Sequence, residues 1–455
     1  MDWQTLRKKR TLDMAGKQDN AKRGFSRRQF LGVSAGLMAA MPGLSFAARR
    51  GDGPKLRVAG VGCGGQAMHD LGQISREAEI VALAEVDQER GAEAFQRWPD
   101  AKKYTDFREM LDKELNNIDA VCVATPDHIH AIAALAAIQR GKHVYVEKPM
   151  SHNIAEVYTL MKAAEEHGVI TQMGNQGHSM RGCYEMKAAF DQGYIGDIKE
   201  VHCWTNRPSW PQGLPTPEGE PVPGTLAWDT WLGPAAERPY SHVYCPRNWR
   251  GWWDFGCGAL GDMGCHILDA PFYALNLTAP TRVSSEVVGA TEGSGPTSAV
   301  TRFEFPANGK RGAFTLSWYE GGKTIPEELT GGQEIGTPDG GTLFIGSNGK
   351  MHTGCYGLPV KPLPDRDDYE RPEYEYDAPG GHQAGWVQGC LDGKKCTSDF
   401  SYAGPLTEVV LLGVVSQRMG EPLEYDAATQ RFTNNEAANQ YLSREYRAGW
   451  ELGKI

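Results

Sequence analysis

The sequence lacks the features of a disulfide scaffold, a zinc protein or a polyanion binder. Its 10 cysteines are scattered from Cys63 to Cys396, and no two stand in Cys-x-x-Cys spacing. That removes zinc-knuckle and redox-pair readings and leaves buried free thiols. No set of side chains stands at diagnostic metal-ligand spacing, so no metal is expected. No internal repeat or low-complexity run is visible. Positive charge is scarce beyond the first residues. Residues 1–47 hold nine Lys or Arg against three Asp or Glu, a net +6 that leaves −16 on the remainder of a chain whose total is −10. So acidic a remainder offers no basic face, and neither nucleic acid nor a membrane surface is an expected partner. Neutral small molecules fit that balance better.

What is present begins with an address. Ser26-Arg27-Arg28-Gln29-Phe30-Leu31 is followed by a weakly apolar run over residues 32–44 and then by Ser45-Phe46-Ala47. Twin arginines, a short apolar core and small residues before a cleavage point describe a twin-arginine export signal over residues 1–47, and hence a periplasmic protein. The apolar run is too short, and too rich in Gly and Ala, to span a bilayer. This route carries folded proteins, and no free nicotinamide pool is expected outside the cytoplasm. A nucleotide used there would be held through the catalytic cycle.

The remaining chain is long enough for two domains, expected at residues 51–175 and 176–455. The first opens with a strand and then Gly60-Val61-Gly62-Cys63-Gly64-Gly65. Gly60, Gly62 and Gly65 fit G-x-G-x-x-G, with Gln66 beginning a helix. Glycines are needed there because backbone must approach a pyrophosphate closely, with the anion on a helix N-terminus. A second apolar strand brings Glu85 twenty residues after Gly65, where a carboxylate receives ribose hydroxyls; Asp87 competes for that role. A carboxylate there repels a 2′-phosphate, so NAD is favoured over NADP, with Arg90 leaving a small opening for the latter.

Strands and helices alternate through residue 173, which gives a parallel, doubly wound sheet. Thr125, Pro126 and His128 follow one strand and would line the crevice near a nicotinamide. His128 and His130 could equally cap the next helix or face solvent. The run His143-Val144-Tyr145-Val146 ends in Glu147-Lys148-Pro149, placing Lys148 at the carboxyl end of a strand, where ligands of such sheets bind.

The glycine turn, Thr125-Pro126-Asp127-His128-Ile129-His130, Gly141-Lys142-His143-Val144 and Glu147-Lys148-Pro149 together resemble the glucose–fructose oxidoreductase/inositol dehydrogenase (Gfo/Idh/MocA) family. The resemblance implies a Rossmann domain followed by an α/β domain with an open, mostly antiparallel sheet. It implies NAD(P)-dependent chemistry on sugar or cyclitol hydroxyls, a catalytic Lys148 and a cis Lys148–Pro149 peptide.

In the second half, Asn175, Gln176 and His178 form a polar cluster where the domains should meet, as contacts to nicotinamide or substrate, or as a turn and helix cap. An irregular passage over residues 206–258 carries six of the 12 tryptophans: Trp210, Trp228, Trp231, Trp249, Trp252 and Trp253. Rings such as Trp249 with Arg250 beside it suit a carbohydrate; a satellite core or a subunit-wrapping arm is the competing reading. A helix over residues 258–269 would set Asp262, His266 and Asp269 on one face. Asp262 would fix the tautomer of His266 and raise its basicity, as a general base requires. The resemblance also sets this pair facing Lys148; Asp269, on the same helix face, is a candidate substrate contact. Strands over residues 282–345 and an Asn348-Gly349 hairpin suggest the antiparallel sheet and a surface for a homodimer or homotetramer.

The reading is an exported oxidoreductase moving hydride between a secondary hydroxyl of a sugar, glycoside or cyclitol and a tightly held NAD. Two alternatives stand beside it: glycoside cleavage through transient oxidation and elimination, and a sugar-binding protein without catalysis.

Overall fold

Two sheets organise the chain. The computed structural model describes residues 55–455 apart from 310, 367, 377 and 379, so the expected export signal lies outside the described residues. The first sheet comprises β1 (Arg57–Val61), β2 (Glu79–Ala84), β3 (Lys102–Tyr104), β4 (Ala120–Val123), β5 (His143–Val146) and β6 (Thr171–Met173). Its order is β3-β2-β1-β4-β5-β6, parallel throughout. Strands covered by helices on both faces must be apolar on both, and β4 and β5 are buried at every position. The strand order reverses between β1 and β4, which opens a crevice outside their carboxyl ends.

Side-chain caps set the helix starts. Asp87 accepts from the Glu89 N–H at 3.1 Å, Asp106 from Arg108 at 2.9 Å and Asn153 from Glu156 at 3.1 Å. The helix Gln66–Ile74 differs. Its N-cap is Gly65, with no side-chain cap and no acid in the first turn. Its first N–H groups are therefore open to an outside anion.

The second sheet holds β7 (Ile198–Thr205), β8 (Arg282–Val288), β9 (Ser298–Phe305), β10 (Phe314–Glu320), β11 (Gly340–Gly346), β12 (Lys350–Gly354), β13 (Val360–Leu363), β14 (Leu423–Asp426) and β15 (Arg431–Phe432). The order is β13-β12-β11-β7-β10-β9-β8-β14-β15; β7 pairs parallel with β10 and the remaining pairs are antiparallel. The expected α/β pair of domains, one doubly wound and one with a mostly antiparallel sheet, is what the chain forms. Residues 347–349 join β11 to β12 as the Asn348-Gly349 hairpin predicts. The helix Phe400–Met419 lies on β8 and β9, where Ser416 meets Ser285 and Gln417 meets Thr301. One apolar cluster runs from Val123 and Val146 through Leu260 and Val410 to Phe303, Leu316 and Phe344, so the two sheets share a core.

The final long helix, Phe400–Met419, runs through Pro405. The chain after β6 forms a 3-10 turn, Gln176–Ser179, and then a helix, Arg181–Asp191. All ten cysteines are free, Cys245 and Cys396 half-buried and the rest buried. Among the described residues no helix is long and apolar enough to cross a membrane.

Candidate active site at the mouth of the parallel sheet

A cavity of about 630 Å³ opens at the switch point and continues into the second domain. Its floor is the glycine turn. Gly62 adopts φ +82° against β4, and a Cβ there would meet the Ala124 carbonyl oxygen at 2.6 Å. No other residue brings the turn so close to the neighbouring strand. Gly62, Gly65 and Gln66 line the cavity with Glu85, Asp87, Thr125 and Pro126. The open N-terminus of Gln66–Ile74, the close-packed turn and the two carboxylates at the end of β2 fit a dinucleotide. The pyrophosphate would lie over Gly62–Gly65 and the ribose by Glu85 and Asp87.

Glu85 has a second task. Its carboxylate accepts from the Cys63 N–H at 2.8 Å and the Asp87 N–H at 3.1 Å, so it also braces the turn. Gly60 does not reach the cavity. A Cβ on it would meet Leu71 Cδ1 at 2.9 Å, so it serves close helix–strand packing instead.

Lys148 leaves the end of β5 through a cis Lys148–Pro149 peptide. Its Nζ donates to the Asp262 carbonyl oxygen at 2.7 Å and to Asp262 Oδ1 at 2.9 Å. The same Oδ1 accepts from Arg250 Nε at 3.0 Å, and Arg207 stands 3.9 Å from Oδ2. Burial opposes ionisation of Asp262, but Lys148 and Arg250 outweigh it and hold the carboxyl well below the usual range. Burial alone would lower the lysine; Asp262 and Glu147 raise it above its ordinary value. Both groups are charged.

The expected Asp262–His266 pair is therefore corrected. One turn apart on Gly258–Ile267, the two share a helix face, but the cations claim the carboxylate. His266 Nδ1 is buried without a hydrogen-bond partner, and the ring stands edge-on to Tyr356 at 4.9 Å. Burial and then Lys148 push the imidazole well below its ordinary 6.5, so it is neutral and can accept a proton.

Four further expectations fail on position. His128 is 1% exposed. Its ring nitrogens stand 3.3 Å from the Phe255 carbonyl and 2.9 Å from the Trp231 carbonyl, and the one N–H of the neutral ring donates to one of them, away from the cavity. It is His130, two residues along the helix, that lines the cavity, its ring nitrogens set against the Pro149 and Thr125 carbonyls. Asp269 opens a new helix after a break at Leu268, which turns it off the His266 face. There it gathers Asn175 at 3.1 Å, His178 at 2.9 Å and the Tyr402 hydroxyl into a buried network behind the cavity. Asn175, His178 and Asp269 are thus internal supports.

Gln176 does line the cavity, but its amide is engaged with Glu147 Oε1 at 2.7 Å. Glu147 also accepts from the Lys148 N–H at 3.3 Å, which steadies the strand end. Burial, with Asp70 next, pushes Glu147 well up.

Trp249 and Arg250 line the cavity as expected, the guanidinium 4.2 Å from the Trp249 ring centre. The aromatic passage divides its labour. Trp231, Trp249 and Trp252 join Tyr240, Tyr244 and Phe255 in a satellite core with Trp228 packed against it, and Trp210, Trp231 and Trp249 line the cavity. Its backbone is also tied to the chain just after β2: Gln88 N–H donates to the Thr225 carbonyl at 3.0 Å and Ala227 N–H to the Val86 carbonyl at 2.8 Å, and Asp87 bridges Leu226, which lines the cavity.

Sequence reasoning missed Asp127, Arg207, Arg247 and Tyr356, all on the cavity wall. Asp127, in the turn after β4, accepts from the Cys257 N–H at 3.0 Å, and burial pushes it up to about 7. Tyr356 rides on a loop that reaches the site because Gly182 lies under Gly357; a Cβ on Gly182 would stand 2.1 Å from the Gly357 oxygen. Gly177 lies under Tyr356 itself, where a Cβ would stand 3.1 Å from the Tyr356 carbonyl oxygen.

Comparisons with known proteins agree with this geometry. Residues 55–175 match the Gfo/Idh/MocA profile described as oxidoreductase family, NAD-binding Rossmann fold, and residues 197–305 match that described as oxidoreductase family, C-terminal alpha/beta domain. A 2,7-anhydro-N-acetylneuraminate hydratase of Mediterraneibacter gnavus is 27% identical over 175 residues, 38% of this chain and 43% of that protein. A scyllo-inositol 2-dehydrogenase (NADP(+)) of Bacillus subtilis is 25% identical over 244 residues, 54% of this chain and 57% of that protein. The matches thus span about half of these relatives' length. Among solved structures, the WlbA dehydrogenase of Bordetella pertussis, in complex with NADH and UDP-GlcNAcA, superposes with TM-score 0.59 at 21% identity, covering 82% of this chain and 99% of its own, a likeness of fold. The chain belongs to the Gfo/Idh/MocA oxidoreductase family, with an NAD-binding Rossmann domain joined to that family's C-terminal α/β domain.

Proposed function

We propose that this chain is an exported, NAD-dependent oxidoreductase that removes hydride from, or returns it to, a secondary hydroxyl of a sugar, glycoside or cyclitol. One observation carries the reading: a neutral, buried His266 with an unpartnered Nδ1 shares a cavity with the glycine turn and with the charged Lys148–Asp262 pair.

When bound, NAD supplies the hydride acceptor. The chain's residues do the rest. His266 takes the hydroxyl proton as the carbon–hydrogen bond breaks, leaving a carbonyl. The ammonium of Lys148 stabilises the developing alkoxide, and Asp262, itself held by Arg250, keeps that ammonium in place. Trp249 and Trp210 pack against the substrate and exclude water.

The backbone bridge from the aromatic passage to Val86 and Gln88 supports a tightly held nucleotide. So does the twin-arginine pattern at residues 26–31, which also supports a periplasmic address. Assembly as a homodimer or homotetramer is part of the proposal, since the helix Phe400–Met419 covers only one face of the second sheet. Sedimentation velocity reads it. A second reading, transient oxidation followed by elimination or water addition, is favoured by one relative being a hydratase by name.

Purified protein, dialysed and examined for absorbance at 340 nm during addition of sugars and cyclitols, tests both. Bound nucleotide whose absorbance responds to a polyol is the expected result. A protein that binds no nucleotide refutes the proposal, and product release without net absorbance change favours the second reading.

A further inference from the structure

The acidity of the whole chain conceals a local reversal. Around the substrate end of the cavity stand Lys148, Arg207, Arg247 and Arg250. The carboxylates facing them are fewer. Asp262 is shared by Lys148, Arg250 and Arg207, and the half-exposed Asp339 pairs with Arg207 at 3.1 Å. Glu147 and Asp127, the other acids on this wall, are pushed by burial toward their neutral forms. Arg247 has no acidic partner among the described residues; its side chain donates to the Ser209 hydroxyl at 2.9 Å. The pyrophosphate does not account for these arginines. Its place over the glycine turn has Arg90, whose Nη2 would stand 3.3 Å from a Cβ on Gly65. Arg207 and Arg250 lie instead at Asp262, beside Lys148.

We propose that the substrate is an anionic sugar, one bearing a carboxylate or phosphate, whose charged group is received by Arg247 with Arg207 beside it. The proposal rests on the polyol reading above and names the substrate class of that site. Guanidinium groups suit this task because their planar N–H fork matches the oxygens of a carboxylate or phosphate. Arg247 is exposed on the cleft wall and has no carboxylate to compete with a ligand, so its guanidinium is available. The anion would anchor one end of the sugar at Arg247 while its reacting hydroxyl lies between Lys148 and His266. The rings of Trp210 and Trp249 flank Arg250 at 5.7 and 4.2 Å and supply the apolar wall.

The test is calorimetric titration of the protein as purified with glucuronate, glucose 6-phosphate and glucose, with 340 nm absorbance followed in parallel. One of the two anions is expected to bind about ten-fold or more tighter than glucose, a difference that shrinks with salt and disappears in Arg247→Ala. The two anionic arms separate a carboxylate from a phosphate. Equal affinity for glucose, binding of neither anion, or an anion preference untouched by Arg247→Ala together with Arg207→Ala overturns the proposal. The absorbance trace keeps the two ideas apart. Anion-selective binding without any change in bound nucleotide would sink the redox reading alone; nucleotide reduction by neutral sugars without anion preference would sink this one alone.

Discussion

Lys148 and Asp262 hold one another twice, since the ammonium donates to both the backbone carbonyl and the carboxylate of the aspartate, at 2.7 and 2.9 Å. The lysine comes from the Rossmann sheet and the aspartate from a helix of the second domain, so the pair is both site and seam. Asp262→Ala leaves a buried ammonium beside Arg250 and is expected to destabilise the protein by about 3 kcal/mol, with Asp262→Asn costing less. Urea unfolding followed by tryptophan fluorescence measures the difference. Because the Asp262 carboxyl is held below its ordinary 3.8, its contribution is complete at neutral pH and is lost as pH falls through the lowered value. The Ala variant should therefore show a smaller loss of stability on acidification than the parent.

Replacing Lys148 by Met removes the cation that, after burial, does most to keep His266 neutral. Two outcomes are expected. Turnover falls by about 10²–10⁴-fold, and the imidazole's proton affinity rises. NMR titration of the His266 ring follows the second independently of activity.

His266→Gln should retain bound nucleotide and lose about 10²–10⁴-fold in kcat. In the parent protein the acidic limb of kcat/KM should lie below the ordinary imidazole 6.5, since burial and Lys148 both favour the neutral ring. Activity thus persists to lower pH than a solvent-exposed histidine base would permit. An acidic limb above 6.5 contradicts this assignment.

At Gly62, a methyl group meets a carbonyl oxygen at 2.6 Å with φ at +82°. Gly62→Ala is expected to empty the nucleotide site, read as loss of the 260 nm excess of the purified protein. Gly309→Ala is a fitting control, since it carries the same φ sign and meets nothing within 4 Å.

His128→Ala separates support from contact. It takes the single imidazole N–H away from the buried Phe255 and Trp231 carbonyls, leaves a cavity, and should cost about 2 kcal/mol. Nucleotide content should be unchanged, because the ring lies outside the cavity. Loss of nucleotide at unchanged thermal stability would return His128 to the binding site.

The Rossmann half was legible because each of its signals is local. Apolar runs, glycine turns and strand-end residues such as Lys148 lie within a few positions of one another, and one strand order accommodates them. The second half was legible in kind but not in partnership. Asp262 and His266 do share a helix face, as spacing predicts; that the carboxylate turns to Lys148 and Arg250 depends on charges 114 and 12 residues away. Asp269 falls off that face because the helix breaks at Leu268, a one-residue event that periodicity does not register. Arg247 and Tyr356 sit on irregular chain carried to the cavity by tertiary packing, where no period or spacing announces them.

The passage that bridges Asp87 and Leu226 gives the proposed function a kinetic side. Were the dinucleotide to lie beneath it, departure along the crevice would require Gln88 and Ala227 to give up their backbone hydrogen bonds. Release would then wait on a local opening of the chain, at a rate set by the stability of that seal as well as by the affinity of the site. Dilution would strip such a cofactor slowly, and mild denaturant faster. On that reading the aromatic passage is a clasp, and residence time belongs to the chain around the site.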